Sequence, residues 1–386
     1  MRRAIELAAQ HRTHPNPRVG AVVVAASGEV VGEGAHHGVG QSHAEVLALE
    51  QAGDLARGST LYVTLEPCNH LGRTPPCAPA IVEAGVARVV VGVIDPDPGV
   101  SGSGVSRLRD AGVEVEVDVL GDEAEAVDPA YFRHRRTGLP FVTLKMAMTL
   151  DGSVAASDLS SKWITSEPAR SDAHVLRSAS DALVVGAGTV RSDDPLLTVR
   201  LEAVEEQPVP VIVAGRQSLP LESRIWERSP IVISTRPLGV PSGEVVVVPG
   251  DEERPDPNGT ARALAERGLL DVLLEGGPNL AGSWWRAGLV GRGVLYVAAL
   301  VGGGRGLAPL EGDFATMAES QPVNIDDVRM VGPDMRIEFH VPHNGVSRES
   351  RFLHSDGEER RILRPDEPPS PTSHRSGGRR QAGRGA

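Results

Sequence analysis

The sequence reads as an α/β protein with two domains followed by a disordered tail. Three observations carry that reading. Apolar, β-branched runs of strand length alternate with helical periodicities through residues 1–138, the pattern of a three-layer α/β sandwich. A second alternation of the same kind begins after Gly138-Leu139-Pro140 and continues to about residue 340. From 341 to 386 the periodicity is gone. Pro365 to Ala386 is rich in Pro, Ser, Gly and Arg, a composition that cannot bury enough apolar surface to order itself. A chain of 386 residues has room for this partition into 1–138, 139–340 and 341–386.

Ala4 to Gln10 has the spacing of an amphipathic helix, with Ile5, Leu7 and Ala8 for packing. Asn16 to Gly20 is a loop feeding a strand over Ala21 to Val24, and Glu29 to Gly32 is a second strand after the Ser27-Gly28 turn. A helix over Ala44 to Ala52 can turn Val46, Leu47 and Leu49 to a core. Leu61 to Leu65 and Ala87 to Ile94 read as strands, the latter buried because its apolar run is unbroken. Cys77 to Ala84 is a helix stopped by Gly85. Arg107 to Ala111 is a shorter one stopped by Gly112, and Val113 to Val117 is the strand after it. Asp122 to Gly138 reads as one charged helical stretch anchored by Tyr131 and Phe132, with Arg133, Arg135 and Arg136 on a solvated face. Phe141 to Leu150 is a strand entering a sharp Asp151-Gly152 turn, and Pro210 to Val213 reads as another strand. Asp271 to Leu274 is a strand, Glu275 to Pro278 a Gly-rich turn and Asn279 to Ala287 a helix. Arg292 to Leu300 and Met330 to His340 are the last strands.

Composition narrows the function. Aromatic residues are 3% of the chain, too few for the ring platforms that stack single-stranded nucleic acid. A net charge of −12 disfavours a polyanionic partner, so the balance favours a small-molecule substrate over nucleic acid. No apolar run approaches the roughly 20 residues of a membrane span, and the N-terminus lacks the apolar core of a signal peptide. Thiols kept free as ligands belong in a reducing compartment, so the expected location is the cytoplasm, without membrane association.

The chemistry concentrates in one stretch. Both cysteines of the chain, Cys68 and Cys77, follow a strand, and His43-Ala44-Glu45 opens the helix before it. One imidazole and two thiolates suit a catalytic zinc: His43, Cys68 and Cys77 as ligands with a fourth position open. Glu45 is then free to move protons as the catalytic acid/base. The order resembles the zinc-deaminase pattern H-x-E and P-C-x-x-C, but eight residues rather than two separate the cysteines. Taken singly, each feature has a plainer reading. Two cysteines can form a disulfide or be unrelated buried thiols, and a lone His is usually a satisfied core residue. Their occurrence together and in order is what favours zinc.

Gly72-Arg-Thr-Pro-Pro-Cys77, Glu66-Pro-Cys68 and Asn16-Pro17-Arg18-Val19-Gly20 resemble the deaminase half of the bifunctional riboflavin-biosynthesis deaminase/reductase family. Phe141 to Gly152, Ser161 to Ser166, Asp193 to Arg200 and Glu275-Gly-Gly-Pro278 resemble its reductase half, and together the resemblance covers about residues 1–340. It implies a cytidine-deaminase-like fold first, a dihydrofolate-reductase-like fold second, and a slightly longer N-terminus. The implied activity is zinc-dependent hydrolysis of the 2-amino group of 2,5-diamino-6-(5-phosphoribosylamino)pyrimidin-4-one. NADPH-dependent reduction of the ribosyl chain to 5-amino-6-(5-phosphoribitylamino)uracil follows. Asn16 is implied to read the base. Asp97 stands where the family has Asn, in a segment that is otherwise a plain turn. The resemblance assigns NADPH to Ala147, Trp163, Thr189, Asp193, Gly277, Pro278, Asn279, Leu280, Ala281, Gly282 and Ser283. It assigns the reductase substrate to Ser161, Arg177, Leu197, Arg200 and Glu275. Arg177 and Arg200 are the phosphate pair, since Arg forks suit phosphate oxygens. Lys145 is the candidate for polarising or protonating the opened sugar. Ala214-Gly215-Arg216 departs from the family, where a side-chain hydroxyl would meet the cofactor; a backbone contact from Gly215 replaces it. By analogy the protein is a homodimer or higher homo-oligomer. Two rivals stand beside this reading: a zinc deaminase of nucleosides or tRNA, which needs a basic cleft, and a structural zinc module, which would be indifferent to Glu45→Ala.

Overall fold

Five short strands, mostly apolar on both faces, make the first sheet. The structure, a computed structural model, describes residues 1–342 except 73, 159, 203, 205, 216, 217, 252, 253, 305 and 313–315. The segment expected to be disordered lies, beyond 342, outside the described residues. In chain order the first part holds α1 (Arg2–Ala8), β1 (Gly20–Val24), β2 (Val30–Ala35), α2 (Ala44–Ala52) and β3 (Thr60–Leu65). It continues with α3 (Cys77–Glu83), β4 (Arg88–Val93), α4 (Ser103–Asp110), β5 (Glu114–Glu116), α5 (Gly121–Ala126) and α6 (Pro129–Thr137). The strand order is β2-β1-β3-β4-β5; β1 runs antiparallel to both neighbours, and β3, β4 and β5 are parallel. Parallel neighbours need crossovers, which α3 and α4 supply. One face packs Ala44, Ala48, Ile81 and Leu108 against Ala21, Val23, Leu61 and Val63. The other packs Ala4 and Leu7 against Val22 and Ala35, so the sandwich has three layers.

Two local expectations need correction. Helix α2 buries Ala44, Glu45, Ala48, Leu49 and Ala52, while Val46 and Leu47 are only half-buried. The cause lies on β2: a Cβ at Gly34 would sit 2.2 Å from the Ala44 carbonyl oxygen, and one at Gly32 would sit 2.0 Å from that of Ala48. The helix therefore lies on bare backbone and presents its alanines there. The stretch 122–138 is two helices, because Pro129 has no N–H to continue a helix and Asp128 caps a new one by accepting from the Tyr131 N–H at 3.1 Å.

The second sheet comprises β6 (Phe141–Thr149), β7 (Ala182–Gly186), β8 (Val209–Val213), β9 (Ile231–Ser234) and β10 (Glu244–Val247). β11 (Asp271–Leu274), β12 (Val290–Ala298), β13 (Asn324–Val331) and β14 (Asp334–His340) complete it. Its helices are α7 (Glu167–Ala179), α8 (Ala187–Asp193), α9 (Pro257–Ala265) and α10 (Pro278–Arg286). The order is β10-β9-β8-β7-β11-β6-β12-β14-β13. The first seven strands in that order are parallel, and β14 and β13 form an antiparallel hairpin at one edge. The single strand expected over Met330 to His340 is thus the end of one strand, a turn at Gly332 (φ 63°) and a second strand. From β7 the chain steps outward to β8, β9 and β10, then returns to β11 between β7 and β6. The carboxyl ends of β7 and β11 flank that reversal, where open α/β sheets bind ligands.

Candidate active sites

His43 caps α2 with extended backbone (φ −72°, ψ 156°), Cys68 follows β3, and Cys77 opens α3, fully buried. His43 Nδ1 lies 3.1 Å from Cys77 Sγ and 3.6 Å from Cys68 Sγ, and all three atoms fall within 4.8 Å of one another. Tetrahedral zinc bonds of about 2.0 Å to nitrogen and 2.3 Å to sulfur space the ligands roughly 3.5–3.8 Å apart. The cluster has that size, and both cysteines are free thiols rather than a disulfide. A hydrogen bond with the Cys77 thiol pulls the Cys68 thiol down, and the Cys77 N–H adds a contact at 3.4 Å. His43 Nε2 is 3.1 Å from Thr74 Oγ1, which turns Nδ1 to the sulfurs. The donor set fits zinc.

Glu45, only 4% exposed, lines a cavity of about 610 Å³ together with His43, Cys68 and Asn16. Burial raises its carboxyl above the usual range. Beside His43, with 5.3 Å between ring centroids, His36 donates from Nδ1 to the Ser42 carbonyl at 3.1 Å, and its Nε2 accepts from Asn16 Nδ2 at 3.0 Å. Burial lowers the His36 pKa, which keeps that neutral tautomer. Asn16 Oδ1 is thereby left for a ligand. Glu66, 3% exposed, gathers backbone N–H groups of Gly102 (2.8 Å), Gly104 (2.9 Å) and Val105 (3.1 Å), which fixes the loop behind Cys68.

Asp97 reaches the cavity wall, and its Oδ1 accepts from the Gly99 N–H at 2.9 Å, so it both shapes the turn and faces the ligand space. Arg135 departs from the solvated face expected of it. It lines the same cavity, 5.0 Å above the Tyr131 ring and 3.6 Å from Asp97 Oδ2, because the break at Pro129 rotates the second helix inward. Arg133 is half-buried as well, and Arg136 alone of the three is exposed, paired with Glu125 at 2.8 Å. Arg73 of the Gly72–Cys77 motif lies outside the described residues.

In the second sheet Glu275 follows β11, and both its oxygens accept from Arg177, at 2.7 Å from Nε and 2.7 Å from Nη2. Burial opposes its charge, but Arg177 and Lys145 outweigh it and hold the carboxyl at about 2. His174 Nε2 lies 3.0 Å from Arg200 Nη2; burial first, then Arg177 and Arg200, push its pKa down to about 4. Lys145 Nζ stands 5.9 Å over the Tyr296 ring. The two expected phosphate arginines therefore differ. Arg177 is committed to Glu275 and to the Thr198 carbonyl (3.1 Å), while Arg200 is exposed.

A cleft of about 820 Å³ opens at the carboxyl ends of β7, β8 and β11. Of the expected cofactor residues, Gly215, Asn279, Leu280 and Ser283 line it, and Gly277 and Pro278 begin the adjoining helix. Ala281 and Gly282 face away: Ala281 is fully buried, and a Cβ at Gly282 would sit 2.1 Å from the Glu311 carbonyl oxygen. Thr189 and Asp193 lie on α8 beyond the cleft's lining. Ala147 is on β6 opposite Tyr296, and Trp163 is 66% exposed under the Arg170 guanidinium at 4.6 Å. Ser161 is half-buried in the loop before α7, and Leu197 is buried at φ 50°. Arg216 lies outside the described residues.

Comparison with known proteins agrees with both halves. Residues 1–93 match the family model of the cytidine and deoxycytidylate deaminase zinc-binding region, and residues 140–334 match that of the RibD C-terminal domain. The riboflavin biosynthesis protein RibD of Aquifex aeolicus is 41% identical over 350 residues, covering 88% of this chain and 97% of its own. The chain belongs to the RibD family. It is a two-activity enzyme, a zinc-dependent deaminase and an NADPH-dependent reductase. The solved structure of Acinetobacter baumannii RibD, form 1, is 37% identical, with a TM-score of 0.81 over 89% of this chain and 98% of that one. A Thermotoga maritima structure, described as a diaminohydroxyphosphoribosylaminopyrimidine deaminase and 5-amino-6-(5-phosphoribosylamino)uracil reductase, is 35% identical. Its TM-score is 0.81 over 89% of this chain and 97% of that one.

Sequence reasoning within the RibD family missed several residues. Thr74 sits inside the recognised Gly72–Cys77 motif, and Glu66 inside Glu66-Pro-Cys68, so both were within reach. His36, Arg135 and His174 carry no local signal; only folding brings them to the sites.

Proposed function

We propose that the first domain, residues 1–138, hydrolyses the 2-amino group of 2,5-diamino-6-(5-phosphoribosylamino)pyrimidin-4-one. The second, 139–340, reduces the ribosyl chain of the product to 5-amino-6-(5-phosphoribitylamino)uracil. The observation that carries this is the cluster of His43, Cys68 and Cys77 beside a cavity that His43, Cys68, buried Glu45 and Asn16 line together. His43, Cys68 and Cys77 would hold zinc, which would supply the Lewis acidity that activates water near neutral pH. Asn16 reads the pyrimidinone edge through Oδ1. Glu45 takes one proton from the attacking water and delivers it to the ring nitrogen, then carries the remaining hydroxyl proton of the adduct to the leaving amine. A C–O bond forms, the C–N bond breaks, and ammonia leaves. Burial of Glu45 suits a group that must both accept and give a proton.

In the second domain NADPH supplies hydride chemistry. Ala147, Trp163, Thr189, Asp193, Gly215 and the start of α10 from Gly277 to Ser283 hold the cofactor, with Ala281 and Gly282 acting through packing. Ser161, Leu197 and Glu275 meet the sugar, and Lys145 protonates its oxygen. Arg200 takes the phosphate, while Arg177 positions Glu275. Free thiols fit a reducing cytoplasm, and among the described residues no helix is long and apolar enough to cross a membrane. A homodimer or larger assembly through the β13 edge fits the exposure of Ile325, Val328 and Met330, and light scattering checks it.

The test is ammonia release from the phosphoribosylaminopyrimidine, followed by NADPH oxidation. Both signals in sequence support the reading. Glu45→Gln should slow ammonia release by about a thousandfold with zinc content unchanged. Zinc-loaded protein that releases no ammonia would sink the substrate assignment.

A further inference from the structure

His14 lies in the loop between α1 and β1, two residues before Asn16. Its side chain is 1% exposed and stands between two carboxylates: Nε2 is 2.8 Å from Asp128 Oδ1, and Nδ1 is 2.8 Å from Asp181 Oδ2. Carboxylates on both ring nitrogens require both to donate, so the ring is an imidazolium. The carboxylates come from either side of the boundary between the two sheets. Asp128 caps α6 and also accepts from the Arg18 N–H at 2.9 Å. Asp181 precedes β7 and also accepts from the N–H groups of Leu270 (2.9 Å) and Asp271 (2.8 Å).

The loop around His14 is tied to the second domain again on either side. Arg12 donates to the carbonyls of Ser178 (3.3 Å) and Ser180 (2.9 Å). The Pro15 ring stands 3.4 Å from the Cβ position of Gly268. Thr13 Oγ1 donates to the Asn16 carbonyl at 2.9 Å, and Pro15 and Asn16 line the deaminase cavity. A wall of the deaminase site is thus anchored on the reductase domain.

We propose that His14 is a positioning residue for deamination, holding Asn16 against the substrate through a bridge whose far end, Asp181, belongs to the reductase domain. The proposal rests on the reading of Asn16 as the base-recognising amide. Asp181 bonds to Asp271 at the amino end of β11, whereas Glu275 of the reductase cluster follows the carboxyl end of that strand and Lys145 stands midway along β6. A change at Asp181 is therefore felt at the distant deaminase site first.

The experiment uses full-length, zinc-loaded Asp181→Asn. Asparagine keeps the size and can still accept from Leu270 and Asp271, but it removes the charge that holds His14. The deaminase KM for the phosphoribosylaminopyrimidine should rise about tenfold, the loss of one well-placed hydrogen bond, with kcat within about twofold. The KM for NADPH-dependent reduction of the pre-deaminated pyrimidine should stay within about twofold. Arg12→Lys, a milder change at a more exposed position, should move the deaminase KM in the same direction, and it decides the matter should Asp181→Asn not fold. An unchanged deaminase KM in the folded variant, or equal loss of both activities, would overturn the proposal. Unaltered protein that releases no ammonia would instead overturn the deaminase reading on which it rests.

Discussion

Glu275 is a carboxylate kept ionised in a place that disfavours charge. Burial works against it, and the two-point contact with Arg177 and the ammonium of Lys145 prevail. Its folded pKa of about 2 lies below its ordinary 4.5, so the stabilisation is complete above pH 4.5 and is lost as pH falls towards 2. Arg177→Met should cost about 3 kcal/mol at pH 7, because it strands a buried charge rather than removing a pair. Urea unfolding measures this, and the deficit should shrink below pH 4, where the stranded carboxyl is neutral in both states. The sequence nominated Arg177 and Glu275 separately, both for substrate. Nothing within either motif says that two residues 98 positions apart share a bond. That pairing exists only once α7 is laid against β11.

Helix α2 holds the proposed deaminase residues His43 and Glu45 in place because of the strand beneath it. Gly34 lets the Ala44 carbonyl approach the sheet, and His43 and Glu45 flank that contact. Gly34→Ala should overpack this seam by about 1–3 kcal/mol and lift the first turn of α2. Zinc should then be lost at lower chelator concentration than from the unaltered protein, as a colorimetric zinc assay would record. The helix itself was legible, and so were both cysteines and the strand before them. The face it buries was legible only at Leu49 and Val46, because periodicity ranks Val and Leu above Ala, whereas close approach to a glycine-bearing strand puts Ala44, Ala48 and Ala52 there as well. The break between α5 and α6 could have been read from Asp128-Pro129, a cap followed by a residue that cannot continue a helix. Missing it put Arg135 in solvent instead of on the cavity wall.

At the scale of the whole molecule the two sheets meet around a buried charge cluster. His14 faces Asp128 and Asp181, with Arg12 beside Asp181 and Asp271 behind it. Burial alone would lower the His14 pKa, but the two carboxylates push it up to about 10. A raised folded pKa means the contribution is fully present below about 6.5 and is lost as pH rises through about 10. Thermal unfolding of the unaltered protein should therefore fall more steeply between pH 7 and 10 than that of His14→Gln. Parallel slopes would deny the imidazolium its part. Motif order along the chain made the two activities legible, since each motif is local. The junction between them was not, because it depends on residues that look like turn and cap positions until both domains are folded.

Glu66 binds the N–H groups of the loop 102–105 two residues before Cys68, one of the three residues proposed to hold zinc. The ligand-bearing segment and the loop behind the cavity are thus one hydrogen-bonded unit, and any coupling it carries between metal and pyrimidine is reciprocal by linkage. Whatever factor zinc adds to affinity for the pyrimidine, the pyrimidine returns to zinc. Protein saturated with deaminated product should hold its metal against a chelator that strips the free enzyme. In a cell short of zinc, molecules engaged in turnover would be the last to lose it. Equal metal loss with and without product would separate the loop from the ion.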